Sequence, residues 1–195
     1  YLVSDTSSFT VQCFETEMSR YLSPSQMAVA VSMTAKIAAD CKSSPACFYE
    51  VYNSECAMNP FAFNKDSVFD KSGRFIRVDT VAAGIIQFTP VGISGLGVSW
   101  QAVKDACVRH DIDFVMTLAH KYMLRASGGV ALPRPCDVYT AVFMPSFVGR
   151  PDDTSLASLY SNRPQYYLQN IGLDGYYLQQ AGERQIIMRS RKARD

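Results

Sequence analysis

Proline placement constrains this chain more than any other local feature. Ser23-Pro24 and Ser44-Pro45 each pair a helix-capping serine with the one residue whose fixed φ and missing N–H suit a first helical turn. Asn59-Pro60 has the opposite effect, because the residue before a proline is pushed out of the helical region. Between these marks, Met27, Val31, Met33 and Ile37 recur at helical spacing and carry one helix to about Asp40. A second helix runs from Pro45 towards Glu55. A short one is expected before them, from Phe9 to Tyr21.

The character changes after Phe61. Asp70-Lys71-Ser72-Gly73 reads as a turn, and Arg74 to Val78 alternates as a strand does, so a small hairpin is expected between Phe61 and Val81. Helical signals return from about Thr89. They are clearest from Ile112 to Leu124, where Phe114, Val115, Leu118 and Tyr122 share a face. Asp111 and Asp113 stand where acids favour a helix start. Cys136–Phe147, Leu156–Tyr160 and Tyr176–Met188 are further candidate helices, and Gly128-Gly129 with Pro133 and Pro135 marks the longest evident loop. The expected fold class is mainly α with a small β element, in one domain spanning 44–188. Helices within 1–43 pack on that domain, and a basic tail occupies 189–195.

At 195 residues, with 48% hydrophobic and 19% charged residues, the chain can bury a real core and is not disordered in composition. A net charge of +1 argues against a nucleic-acid-binding stripe, and the one basic run, Arg189 to Arg194, reads as a solvated end. No stretch is apolar enough for a membrane span, since Ser32, Thr34 and Lys36 interrupt the best candidate. No signal peptide is visible, and a chain beginning at Tyr1 suggests a processed or excised piece. Six cysteines are too sparse for a disulfide scaffold and read as buried thiols, although Cys41 and Cys47 are close enough to pair.

Glu55 is the most informative carboxylate. It ends a helix among Tyr52, Cys56, Met58 and Phe61, beside a loop where a cleft could open. Apolar surroundings of that kind raise a carboxyl pKa and can supply a general acid. Glu50, earlier on the same helix, competes with it, and a surface carboxylate is the plainer reading of either. Ala83-Gly84-Ile85-Ile86-Gln87-Phe88-Thr89-Pro90 is a glycine-led apolar run with one amide, which either meets a sugar or points to solvent.

Glu55-Cys56-Ala57-Met58-Asn59-Pro60 resembles the E-S-G-F-N-P segment of lytic transglycosylases related to the soluble transglycosylase (SLT) group. Gly84-Ile85-Ile86-Gln87-Phe88-Thr89-Pro90 resembles their G-L-I-Q-F-M-P segment and follows in the right order. Asp137 to Pro145, Val148 to Pro151 and Asn170 to Gly175 look like the bacteriophage branch. The resemblance implies a lysozyme-like fold with a hairpin beside the cleft. It assigns the catalytic acid to Glu55 and substrate contacts to Gln87, Gly84, Phe88 and Tyr139, and it calls for no cofactor and no metal. It also implies peptidoglycan glycan strands as the substrate, other virion proteins as possible neighbours and a place in the phage particle. The chain departs from the family at Cys56-Ala57, where Ser-Gly is usual, and at Thr89, where methionine is more common.

A lytic transglycosylase needs only the one acid, because the substrate's own hydroxyl attacks. A hydrolase needs a second carboxylate. Asp79, placed much as in goose-type lysozymes, is the candidate, with a hairpin-end role as the plainer alternative. Asp66 and Asp70 read as turn residues.

Other chemistries have less behind them. His110 and His120 offer no recognisable pairing with Cys47 or Cys136, and close zinc-ligand pairs and nucleotide fingerprints are lacking. The rival to an enzyme is an inactive lysozyme-fold module of a tail or ejection assembly, signalled by aromatics such as Tyr166-Tyr167 and Tyr176-Tyr177. A weaker one is a peptidase on the same scaffold.

Overall fold

The computed structural model describes residues 3–154. The candidate elements at 156–160 and 176–188, the Asn170–Gly175 segment, the aromatics from Tyr166 to Leu178 and the basic tail all lie outside the described residues. Within them, six α-helices and one two-stranded antiparallel sheet make a mixed α+β structure. The order is α1 (Val3–Met18), α2 (Pro24–Asp40), α3 (Pro45–Cys56), β1 (Phe63–Phe69), β2 (Phe75–Ala83), α4 (Trp100–Val108), α5 (Ile112–Ser127) and α6 (Pro135–Phe143). A single 3₁₀ turn, Pro145–Phe147, follows.

The starts of α2 and α5 are capped by the residues that announce them, whereas Ser44 takes the N-cap position of α3 without a side-chain cap hydrogen bond. Ser23 and Gln26 form a reciprocal capping box, and Gln26 Nε2 also donates to the His110 carbonyl at 2.8 Å, tying the start of α2 to the α4–α5 corner. Asp111 accepts from the Phe114 N–H at 3.0 Å to cap α5, and Gly128 closes that helix in the left-handed conformation. Pro24, Pro45 and Pro135 each stand at the first turn of their helices.

Helix α3 sits at the centre. Cys47, Phe48, Tyr49, Val51, Tyr52, Ser54 and Cys56 are all buried along its 12 residues, so it is enclosed on nearly every side. α1 reaches it through a Phe14–Tyr49 stack and a hydrogen bond from the Tyr49 hydroxyl to Glu15 at 3.1 Å. Met18, Ala30 and Ile37 from the first two helices share one continuous core with Val115, Met116 and Met123 of α5 and Val138 of α6.

The hairpin does not lie inside this packing. Phe69, Phe75, Ile76 and Val78 remain exposed, and burial begins only at its root, at Ala82 and Ala83. Its strands run longer than the alternation at 74–78 suggests, with Phe63 opposite Ala83, Asp66 opposite Asp79 and bulges on either side. Asp70 accepts from Ser72 and Arg74 in the turn, as expected of it, whereas Asp66 is a strand residue. Helix does not resume at Thr89; residues 89–98 are turns, and α4 begins only at Trp100, where Ser99 caps it. All six cysteines are free, five of them buried and Cys13 exposed. Among the described residues no helix is long and apolar enough to cross a membrane.

Candidate functional site

The last turn of α3, the hairpin root and the segment after it enclose a cleft of about 930 Å³. Glu55 lies on its lining with Asn53, Gln87, Thr89 and Asn64, and apolar surface comes from Ile86, Phe88, Tyr122, Val142 and Phe143. Among the described residues lining it, Glu55 is the one ionisable carboxylate, and no lysine, arginine or histidine shares that surface. Glu50 does not reach it.

Two unusual backbone passages shape this cleft. After Glu55-Cys56 the chain leaves the helix through two consecutive left-handed residues, Ala57 at φ 50° and Met58 at φ 64°. Left-handed conformations cost non-glycine residues free energy and gather where a site over-determines the backbone. Cys56 braces the passage: its thiol donates to the Tyr52 carbonyl at 3.1 Å, and its carbonyl accepts from the Asn59 N–H at 3.0 Å. Burial still pushes that thiol well above its ordinary range, with the neighbouring Glu55 charge adding to the effect.

Alanine at position 57 has no such compensation. Ala57→Gly is expected to stabilise the protein by about 0.5–1 kcal/mol by relieving the left-handed strain, less the extra chain entropy of glycine. Chemical denaturation monitored by circular dichroism checks the sign.

The second passage is the tight turn from Ala83 to Phe88, closed by a reciprocal pair of backbone hydrogen bonds at 3.0 and 2.7 Å. Gly84 stands within it at φ +88°, where a Cβ would come within 2.9 Å of the Phe88 ring. Gln87, at φ 53°, turns its amide nitrogen inward onto the carbonyls of Gly84 at 2.9 Å and Ala62 at 3.3 Å. Its side chain therefore sews the turn to the hairpin root, and its oxygen is the end left to meet a ligand.

The structure brings Glu55, Gln87 and Phe88 together on one surface and leaves three other candidates off it. Gly84 is buried inside the turn. Tyr139 is buried too, stacked on Phe143 at 5.7 Å, so it backs the lining rather than forming it. Asp79 sits up the hairpin, half-exposed, 3.1 Å from Arg77 and facing Asp66. The hydrogen bond from Arg77 holds the Asp79 carboxyl below its usual range, aided by the Thr80 N–H.

Tyr122 is the residue the sequence reading passed over, taking it only as part of an apolar helix face. It lines the cleft from α5 and donates its hydroxyl to the Val142 carbonyl at 2.9 Å. Burial raises its hydroxyl pKa, Arg125 opposes the rise and the Glu55 charge adds to it, which places Tyr122 within electrostatic reach of Glu55. Nothing in the sequence separates a cleft tyrosine from a core tyrosine at this spacing.

No group of three or more metal-ligating side chains occurs among the described residues. No protein-family model, curated protein or solved structure matches the chain.

Proposed function

We propose that the chain is a lysozyme-fold enzyme that cleaves the β-1,4 bond between MurNAc and GlcNAc in peptidoglycan, with Glu55 as general acid. The observation that carries this reading is the position of Glu55 on an open cleft as the one lining carboxylate among the described residues, half-buried beside aromatic and aliphatic side chains. In the reaction the Glu55 carboxyl donates its proton to the glycosidic oxygen as the C1–O bond breaks. The substrate's own hydroxyl then attacks C1 and returns a proton to Glu55, leaving an anhydro sugar. Asn53, Asn64, Thr89 and the Gln87 oxygen supply uncharged polar groups suited to sugar hydroxyls and N-acetyl groups. The lytic transglycosylase route is favoured because Asp79, the candidate second carboxylate, is engaged with Arg77 off the cleft surface.

A virion-associated role in opening the cell wall rests on the resemblance of the later segments to the bacteriophage branch. The exposed apolar side chains of the hairpin, Phe69, Phe75, Ile76 and Val78, favour a second reading, a lysozyme-shaped module seated in a larger assembly without turnover.

Digestion of purified peptidoglycan, with the soluble products read by mass spectrometry, separates these readings. Anhydro-MurNAc ends are expected. Reducing ends would make the enzyme a hydrolase and bring Asp79 into the mechanism, and intact glycan would leave the assembly module.

A further inference from the structure

Arg125 lies behind the cleft, bonded to the segment that forms one of its walls. From the last turn of α5 its guanidinium donates to the Ser94 carbonyl at 2.6 Å and to the Gly92 carbonyl, and it stands 5.6 Å from the centroid of the Tyr122 ring. Both carbonyls belong to the turns after Phe88, whose Thr89, Val91 and Gly92 line the cleft. The hydrogen bonds of this segment to itself are short-range: Ile93 to Thr89, Ser94 to Val91 and Leu96 to Ile93. Local turns of that kind fix a shape but not its place against the rest of the protein. The buried Ile93 side chain, Leu96 packed against the core and the Arg125 fork provide that placement.

Gly92 is gripped from two sides. Its N–H donates to Thr89 Oγ1 at 3.0 Å while Arg125 takes its carbonyl. A Cβ there would meet Thr89 Oγ1 at 3.0 Å and the Tyr122 ring at 3.5 Å, so the turn packs closely against the tyrosine that Arg125 also touches. One planar cation thereby couples the Thr89–Ser94 turn to Tyr122. Tyr122 is in turn held by its hydroxyl to Val142, another lining residue. A guanidinium suits this task because its rigid fork can hold two carbonyls at once, which a lysine ammonium cannot do with the same geometry.

We infer that Arg125 is a positioning residue for the cleft, holding the Thr89–Ser94 turn and Tyr122 in the arrangement that binds a glycan strand. It sets how tightly sugar is held, and it takes no part in the proton transfer of Glu55. The inference rests on the glycan-cleaving reading of the same cleft.

The test is steady-state kinetics on soluble glycan strands of defined length for wild type, Arg125→Ala and Arg125→Lys. Amide hydrogen exchange of residues 89–96 is measured on the same proteins without substrate. Arg125→Ala is expected to raise KM roughly tenfold with kcat within about twofold, and to speed exchange at Gly92, Ile93, Ser94 and Leu96. Arg125→Lys keeps the helix-end charge and is expected to recover part of both effects, and it serves as the working variant if the alanine protein does not fold. A wild type that cuts glycan, beside an Arg125→Ala protein with unchanged KM and unchanged exchange, overturns the inference and leaves the function standing. A loss confined to kcat also overturns it. A wild type that neither binds nor cuts the strands overturns the reading of the cleft, and this inference with it.

Discussion

Exchange of Glu55 for glutamine is expected to slow release of soluble glycan from peptidoglycan roughly a thousandfold, with the fold unchanged. The amide keeps the size and polarity of the carboxyl, so the left-handed turn at Ala57-Met58 and its Cys56 brace are not disturbed. On the proposed mechanism, what it loses is the acidic proton that would be donated to the leaving oxygen. Glu50 is the internal control: it lies on the same helix but not on the cleft surface, so Glu50→Gln is expected to retain activity. Muropeptide release measured beside circular dichroism spectra decides the matter. A Glu55→Gln protein that digests at the wild-type rate would place the acid elsewhere.

The second large effect is one of stability. Gly84→Ala combines two costs that add at one atom. The φ of +88° disfavours any L side chain, and the new methyl would lie 2.9 Å from the buried Phe88 ring, which would have to shift towards the cleft. The left-handed cost of about 1–2 kcal/mol and an overpacking cost of about 1–3 kcal/mol together give roughly 3 kcal/mol. For a protein of this size that lowers the melting temperature by roughly 10 °C. Thermal melts of the two proteins measure it. Because Gly84 also accepts the Gln87 amide, a correctly folded but weakened variant is expected to lose grip on the Gln87 side chain as well. A variant as stable as wild type would show that the turn can relax, and that the glycine is not there for lack of space.

The two motif segments show how far sequence could reach the site. Glu55 and Gln87 stand out in the sequence, and the fold brings them to one cleft although 32 positions separate them. Tyr139 is singled out only by the resemblance and Asp79 against a plainer hairpin-end reading, and the fold puts one into the core and the other onto the hairpin against Arg77. Tyr122 and Arg125 carry no signal of their own, since a tyrosine and an arginine on an amphipathic helix are ordinary. Their importance arises from what lies opposite them: the cleft for Tyr122, and the Gly92 and Ser94 carbonyls for Arg125.

What the sequence determined by itself is the local grammar of this protein. The Ser-Pro starts of α2 and α3, the Asp111 cap of α5 and the Asp70–Gly73 turn all appear at the positions their residues dictate. Each depends on hydrogen bonds and dihedral limits spanning four or five residues, so no distant partner is needed to fix it. The tertiary structure alone decided that α3 is the enclosed central helix and that the hairpin stands clear of the core. It alone drove Ala57, Met58 and Gln87 into left-handed conformations that their side chains do not favour. Those outcomes depend on how whole helices are rolled against one another, a sum over contacts far apart in the chain. Near-close-packed interiors admit few such arrangements, and the local pattern of any one segment does not select among them.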